Sequence, residues 1–291
     1  MSPSNPVAAV LYALLPFVFA LLWASSYVAA KIGLVDATPF ALVGARLAIA
    51  AAAGALLIVA TGRSWPRRKS WPLLLLGGAL LHGFGLAMTH AALVAVDATP
   101  TALLHAFHPI LTAALGTVLL RERFASWQWL GVALGFVGVV LGVPLSLGTG
   151  NLALLGLSLF GLTSGTLLLR RFCADVPPFE STAVQLLGGA AASILLMLLF
   201  ETPHWRWTAH FAAALAWNTL VMSIFGMVIY NLMLDRHGAG RASSGFFVVP
   251  GASAVMGFLL LNEHLSMMTV AGLAASTIGV VLVWWRPAQK T

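Results

Sequence analysis

Four histidines stand in otherwise apolar runs, and imidazole can take a proton, a metal or a hydrogen-bonded ligand near neutral pH. His82 lies near the middle of one run, with His90 two turns further along it. In the next run Thr101, His105, His108 and Thr112 follow one another at intervals of four, three and four residues, which is a single face of a helix. A polar stripe on an apolar helix faces a cavity or another helix, not lipid. His82 and His108 are candidates for cavity lining. As structural groups the same rings would instead bond backbone carbonyls across helices, one of them freed by Pro109. A zinc ion would find imidazoles here but no supporting cysteine or acid, so neither a metal nor any other cofactor is expected. Cys173 is the sole cysteine, which excludes an intramolecular disulfide and a thiolate cluster.

Arg46 is the one basic residue inside an apolar run. Its guanidinium either packs helices by snorkelling or carbonyl bonding, or holds the carboxylate of a ligand. Trp23 and Tyr27 are one turn apart, and Phe160, Tyr230, Phe246 and Phe247 lie in later runs. Such rings can line a site for aromatic or apolar side chains and offer a cation–π contact to an ammonium group. They also serve as core filling or lipid-facing surface. All eight acids (Asp36, Asp97, Glu122, Asp175, Glu180, Glu201, Asp235 and Glu263) fall at the ends of runs or between them. With no buried carboxylate, any coupling proton would have to ride on histidine; otherwise cargo runs down its own gradient.

The elements that must position these residues follow from composition. Of 291 residues 60% are hydrophobic and 8% charged, with a mean hydropathy of +0.97, whereas soluble domains carry about 25% charged residues. That excludes a water-soluble globular domain, a disordered chain and a nucleic-acid-binding domain. A membrane-spanning helix needs about 20 apolar residues. Ten such stretches are present, near 10–32, 38–61, 71–93, 98–120, 127–146, 151–170, 178–200, 211–234, 240–261 and 267–285. The fold class expected is therefore an all-α polytopic membrane protein of ten transmembrane helices. The first stretch lacks a basic flank and a small-residue cleavage pattern, so it reads as a retained helix.

Ten spans place both termini on one side. The loops on that side carry Arg63, Arg67, Arg68, Lys69, Arg121, Arg123, Arg170, Arg171, Arg236, Arg241, Arg286 and Lys290, against Lys31 and Arg206 on the other. The positive-inside rule makes both termini cytoplasmic. The net charge of +7 thus reports orientation in a bilayer, not a nucleic-acid partner.

The chain matches itself at an offset of 141: Phe84-Gly85 falls on Phe225-Gly226, Pro109 on Pro250, Gly116 on Gly257, Glu122 on Glu263 and Gly138 on Gly279. A second match, at 139, sets Pro39-Phe40 on Pro178-Phe179 and Arg46 on Gln185. Residues 1–147 and 148–291 are then two five-helix units. An odd number of helices per unit inverts the second copy in the bilayer. Inverted repeats are the architecture of secondary transporters, with the substrate near the midplane. Pro109 and Pro250 become paired hinges, or else static kinks that make room for packing. Gly131, Gly135, Gly138 and Gly142 would pack against Gly272, Ser276 and Gly279. Glu122 and Glu263 precede the fifth and tenth helices, whose N-termini they would stabilise. No P-loop occurs, so no nucleotide-driven pump is encoded.

Several segments carry a family resemblance: Leu22-Trp-Ala-Ser-Ser-Tyr-Val-Ala-Ala-Lys-Ile-Gly33, Ala45-Arg-Leu47, His108-Pro-Ile-Leu-Thr-Ala-Ala-Leu-Gly-Thr-Val-Leu-Leu-Arg-Glu-Arg123, Trp129-Leu-Gly131, and Pro250 with Leu259-Leu-Leu-Asn-Glu263. With these the chain resembles the EamA branch of the drug/metabolite transporter superfamily, and within it bacterial aromatic amino acid exporters of the YddG type. The resemblance implies a central cavity lined by helices 1–4 and 6–9, with helices 5 and 10 packed outside. Taken together, the expected protein is an inner-membrane secondary transporter, working as a monomer. It would export aromatic and other small amino acids, or related metabolites, by alternating access. Its substrate-binding candidates are Trp23, Tyr27, Arg46, His82, His108, Phe160, Gln185, Tyr230 and Phe246. The alternatives are a broad-specificity drug or metabolite exporter and, more remotely, a histidine-dependent intramembrane enzyme.

Overall fold

Apolar stretches of this length leave the backbone no hydrogen-bond partner in lipid except itself, and helices are the result. The computed structural model describes residues 6–119, 124–144, 147–226, 229 and 248–284. Among them are ten helices: α1 (Pro6–Gly33), α2 (Pro39–Ala60), α3 (Arg68–Leu93), α4 (Ala98–Leu119), α5 (Ser126–Gly142), α6 (Gly148–Phe172), α7 (Pro178–Phe200), α8 (Ala209–Gly226), α9 (Val249–Leu261) and α10 (Met267–Trp284). No strand occurs among the described residues; there is one isolated bridge between Ala37 and Trp205. Helices α2, α3, α4, α6, α7 and α8 are long and apolar enough to cross a membrane. The protein is a multi-pass membrane protein. Large apolar side chains such as Leu130, Phe136, Leu195, Leu198 and Leu259 face outward, as expected where lipid is the solvent.

Two helices are not α-helical throughout. The middle of α3, Ala79–Gly85, and the second half of α8, Trp217–Gly226, are π-helical. These segments hold the Phe84-Gly85 and Phe225-Gly226 pairs that the 141-residue offset superimposes. Inserted π turns are frequent at functional sites, and both copies carry one.

Helices α5 and α10 are the most extensively paired among the described residues. Small residues allow this: a Cβ on Gly131 would lie 2.6 Å from the Gly279 carbonyl oxygen, and one on Gly138 would lie 2.7 Å from that of Gly272 and collide with Ser276. The pair touches the rest of the bundle through α4. Gln128 locks its end, accepting from the Ala125 N–H at 2.9 Å and donating to the Val283 carbonyl at 2.7 Å. Gly138→Leu is expected to force α5 and α10 apart and cost about 3 kcal/mol or more, read as a lowered Tm in detergent. An unchanged Tm would mean that the pairing contributes little.

Glu263 differs from its sequence assignment. It does not serve the N-terminus of α10, which follows it, but that of α4, taking hydrogen bonds from the Ala98 and Thr99 N–H groups at 2.6 and 3.1 Å and from the Thr99 hydroxyl at 2.7 Å. The reason is geometric. Asn262 is left-handed, with φ of 55°, and turns the chain back across the end of the bundle where α4 begins. Glu201 plays the same part for α2, accepting from the N–H groups of Phe40 and Ala41 at 2.8 and 3.2 Å. Glu122 lies outside the described residues.

The two prolines are also placed differently. Pro109 is inside α4, whereas Pro250 sits in the first turn of α9 as described, where a missing N–H disturbs no hydrogen bond. Of the two, only Pro109 lies in the interior of a described helix.

Candidate functional site

Trp23 and Tyr27, one turn apart on α1, begin a directional relay of hydrogen bonds through the bundle. The Trp23 Nε1–H points to the Tyr27 hydroxyl at 3.4 Å, and that hydroxyl lies 2.8 Å from His105 Nδ1 on α4. His105 Nε2 is 2.9 Å from the Ser158 hydroxyl of α6, which is 2.8 Å from the Thr89 hydroxyl of α3; Thr89 donates to the Gly85 carbonyl at 2.8 Å. With His105 neutral, the last acceptor fixes every proton upstream. Thr89 spends its proton on Gly85, so Ser158 donates to Thr89, His105 Nε2–H to Ser158, and Tyr27 to His105 Nδ1. A neutral imidazole satisfies the whole relay, and four helices are tied through one side chain.

The second centre is Arg46, two turns into α2 and only 7% exposed. Its Nε–H donates to Ser223 Oγ at 3.0 Å and its Nη1 to Asn218 Oδ1 at 3.1 Å. Both partners lie in the π-helical part of α8, five residues apart, and the wider π turn brings positions five apart onto one face. Ser223 in turn donates to the Asn218 carbonyl at 3.1 Å. Both acceptors are neutral, and no described carboxylate is within ion-pair distance of Arg46. Three of its five N–H groups have no partner among the described residues and could meet a ligand. Tyr27, His82 and His90 lie within electrostatic reach of the guanidinium.

His82, in the π segment of α3, sits beside Gln185 of α7, and its buried Nε2 has no hydrogen-bond partner among the described residues. This pairing mirrors the one at Arg46. The 139-residue offset carries Arg46 onto Gln185, and the 141-residue offset carries His82 onto Ser223. The contact between α2 and α8 is thus repeated between α7 and α3. Gln185 also donates to Ser181 at 2.8 Å. His108 donates from Nε2 to the Thr166 hydroxyl of α6 at 3.2 Å. His90 takes the structural role, donating from Nδ1 to the Leu86 carbonyl at 2.8 Å.

Phe160 does not join this group. Its side chain is 61% exposed, and Ser158, two residues earlier on α6, holds the inward face. The aromatic count could not reveal this, because facing is set by helical phase rather than residue type. Tyr230, Phe246 and Phe247 lie outside the described residues. Thr89, Ser158, Asn218 and Ser223 were not singled out from sequence; for Ser223 a signal existed, since it is the repeat mate of His82.

A cavity of about 600 Å³ opens at the end of the bundle between α1, α3, α8 and α9 and is lined by Lys31, Asp36, Asp97, His210 and Glu263 among others. Lys31 and Asp97 pair across it at 3.0 Å, and Arg206 and Asp36 pair nearby at 2.8 Å. A smaller crevice lined by Ala50, Gly54, Thr182 and Leu186 reaches Ser223 between α2, α7 and α8. Nothing in these clusters resembles a nucleophile beside a base. The chemistry available is recognition of an anion and hydrogen bonding.

The model of the EamA-like transporter family matches the chain twice, over residues 9–143 and 149–285. The uncharacterized transporter YoaV of Bacillus subtilis is 24% identical over 272 residues, covering 90% of this chain and 92% of its own. A Salmonella typhimurium protein named "Probable amino-acid metabolite efflux pump" is 25% identical, covering 89% of this chain and 90% of its own. A "Probable terminal-alkyne amino-acid exporter" of Streptantibioticus cattleyicolor is 26% identical, covering 90% and 89%. In fold the chain is similar to a crystal structure with a TM-score of 0.69 and 19% identity, covering 94% of this chain and 97% of that one.

Proposed function

The chain belongs to the EamA-like transporter family, and from that premise we propose that it exports amino acids or related carboxylate metabolites across a bacterial inner membrane. The observation that carries this reading is Arg46: a buried guanidinium held by two neutral side chains, with donors left for a carboxylate. Two relatives whose names specify amino acid cargo support the cargo class.

In this reading ten helices cross the bilayer, both termini are cytoplasmic, and the two five-helix units are inverted copies acting within one monomer. The cargo carboxylate meets Arg46. Trp23, Tyr27, His82, His108 and Gln185 surround the remainder, with His105 organising the wall. The 600 Å³ cavity is the outer vestibule. Alternating access exchanges the α2–α8 contact at Arg46 and Ser223 against the α7–α3 contact at Gln185 and His82, with α4 flexing at Pro109. A cationic drug is a poorer fit, since Arg46 repels it.

Proteoliposomes loaded with labelled aromatic and small amino acids and with their 2-oxo acids test the proposal. Efflux above lipid-only controls is expected for at least one group. Trp23→Ala and His82→Ala should each slow it about tenfold at unchanged expression. Near-normal flux in both variants would remove these residues from the site.

A further inference from the structure

We propose that the cargo is carried as a monoanion, a carboxylate without a free ammonium group, and that the membrane potential drives its export. This rests on the reading of Arg46 as the carboxylate site and narrows the proposed cargo from amino acids to the related carboxylate metabolites. Charge decides between a zwitterion and a monoanion. Arg46 is the one cation buried among the described helices, and both groups that hold it are neutral. Each described acid lies in a connecting loop or a terminal turn: Asp36, Asp97, Asp175, Glu180, Glu201 and Glu263. The titratable groups within electrostatic reach of the guanidinium are Tyr27, His82 and His90, none of them a carboxylate.

A bound zwitterion would leave the occupied site with a net charge of +1, and its ammonium would face no carboxylate among the described residues. A bound monoanion makes the site neutral. In a low-dielectric interior an uncompensated charge is costly and a compensated one far less so. The occupied carrier therefore changes conformation more readily with the monoanion.

The same charge count supplies a driving force. Moving one negative charge out of a negative cytoplasm is favoured about fiftyfold in concentration ratio per 100 mV. The protein then needs no buried carboxylate for proton coupling. His105 fits this, since both its nitrogens are engaged in a relay that a neutral ring completes.

Two pairs of compounds that share a side chain test the proposal: alanine with pyruvate, and phenylalanine with N-acetylphenylalanine. Each is loaded into proteoliposomes with a potassium diffusion potential imposed through valinomycin. The monoanion of at least one pair should leave about tenfold faster than its zwitterion and accelerate when the interior is made negative. Arg46→Gln should abolish that preference. If the variant does not fold, the ranking and potential dependence of the wild-type protein decide the matter alone. Zwitterions leaving as fast as monoanions, or efflux indifferent to potential, overturns the monoanion proposal while the carrier reading stands. Efflux of all four at lipid-only rates overturns both.

Discussion

Arg46→Gln is expected to bind a carboxylate cargo one to two orders of magnitude more weakly while melting no lower than the wild-type protein in detergent. The two halves of this result have separate causes. A hydrogen bond from a charged donor is worth about 1.5–3 kcal/mol, and the glutamine amide offers a neutral donor in its place. Stability behaves oppositely, because a buried charge without an opposite partner carries a desolvation penalty that its removal relieves. Ser223 keeps the bond it donates to the Asn218 carbonyl at 3.1 Å, while Asn218 Oδ1 takes the glutamine amide as its new donor, its own Nδ2 staying on the Ala214 carbonyl at 3.2 Å. Arg46→Lys should fall between, keeping the charge but losing the planar fork that holds Nε on Ser223 while Nη1 reaches Asn218. Ligand-binding titration and a melting curve on the same preparation check both halves. A variant that melts far lower with binding intact would make Arg46 a helix-packing residue.

Much of the architecture is legible because lipid imposes it. Apolar runs of about twenty residues had to be helices, and eight of the ten described helices begin and end within a few residues of the expected stretches, while α8 and α9 are described only in part. Of the stripe Thr101, His105, His108 and Thr112, the two histidines turn toward α1, α3 and α6 as their phase implies. The site was less legible, for two physical reasons. Whether a ring such as Phe160 faces inward depends on the rotation of its helix, which no single residue reveals. Two π-helical segments also break the 3.6-residue phase through which positions were assigned to faces. Asn218 and Ser223 fall about 140° apart on a regular α-helix, so neither would be expected to reach Arg46 together with the other. The repeat held the missing information. Superimposing both offsets sets Arg46 with Ser223 as the counterpart of Gln185 with His82, a pairing that sequence contained but periodicity alone did not expose.

Glu263→Ala should be the most destabilising single change at the loop end of the bundle, costing about 3 kcal/mol or more. Glu263 is 6% exposed, and its carboxylate receives three hydrogen bonds at the start of α4. Removing it orphans two N–H groups and the Thr99 hydroxyl in a buried place, at about 1–3 kcal/mol each before relaxation, and discards a favourable charge at a helix N-terminus. Glu263→Gln should cost less, because one oxygen still accepts. The effect reaches the candidate site through α4, which carries His105 and His108 and would lose its fixed start. Gly257 supplies an internal check. A Cβ there would sit 2.5 Å from Glu263 Oε2 and 3.1 Å from Thr99 Oγ1, so Gly257→Ala alone should cost about 1–3 kcal/mol through overpacking. In the Glu263→Ala background the carboxylate is gone and most of that penalty should vanish. The double-mutant cycle is therefore expected to be strongly non-additive, measured as Tm or denaturant midpoint in detergent. Additive losses would mean that the carboxylate does not hold the α4 terminus, and that the cost of Glu263→Ala comes from the loop alone.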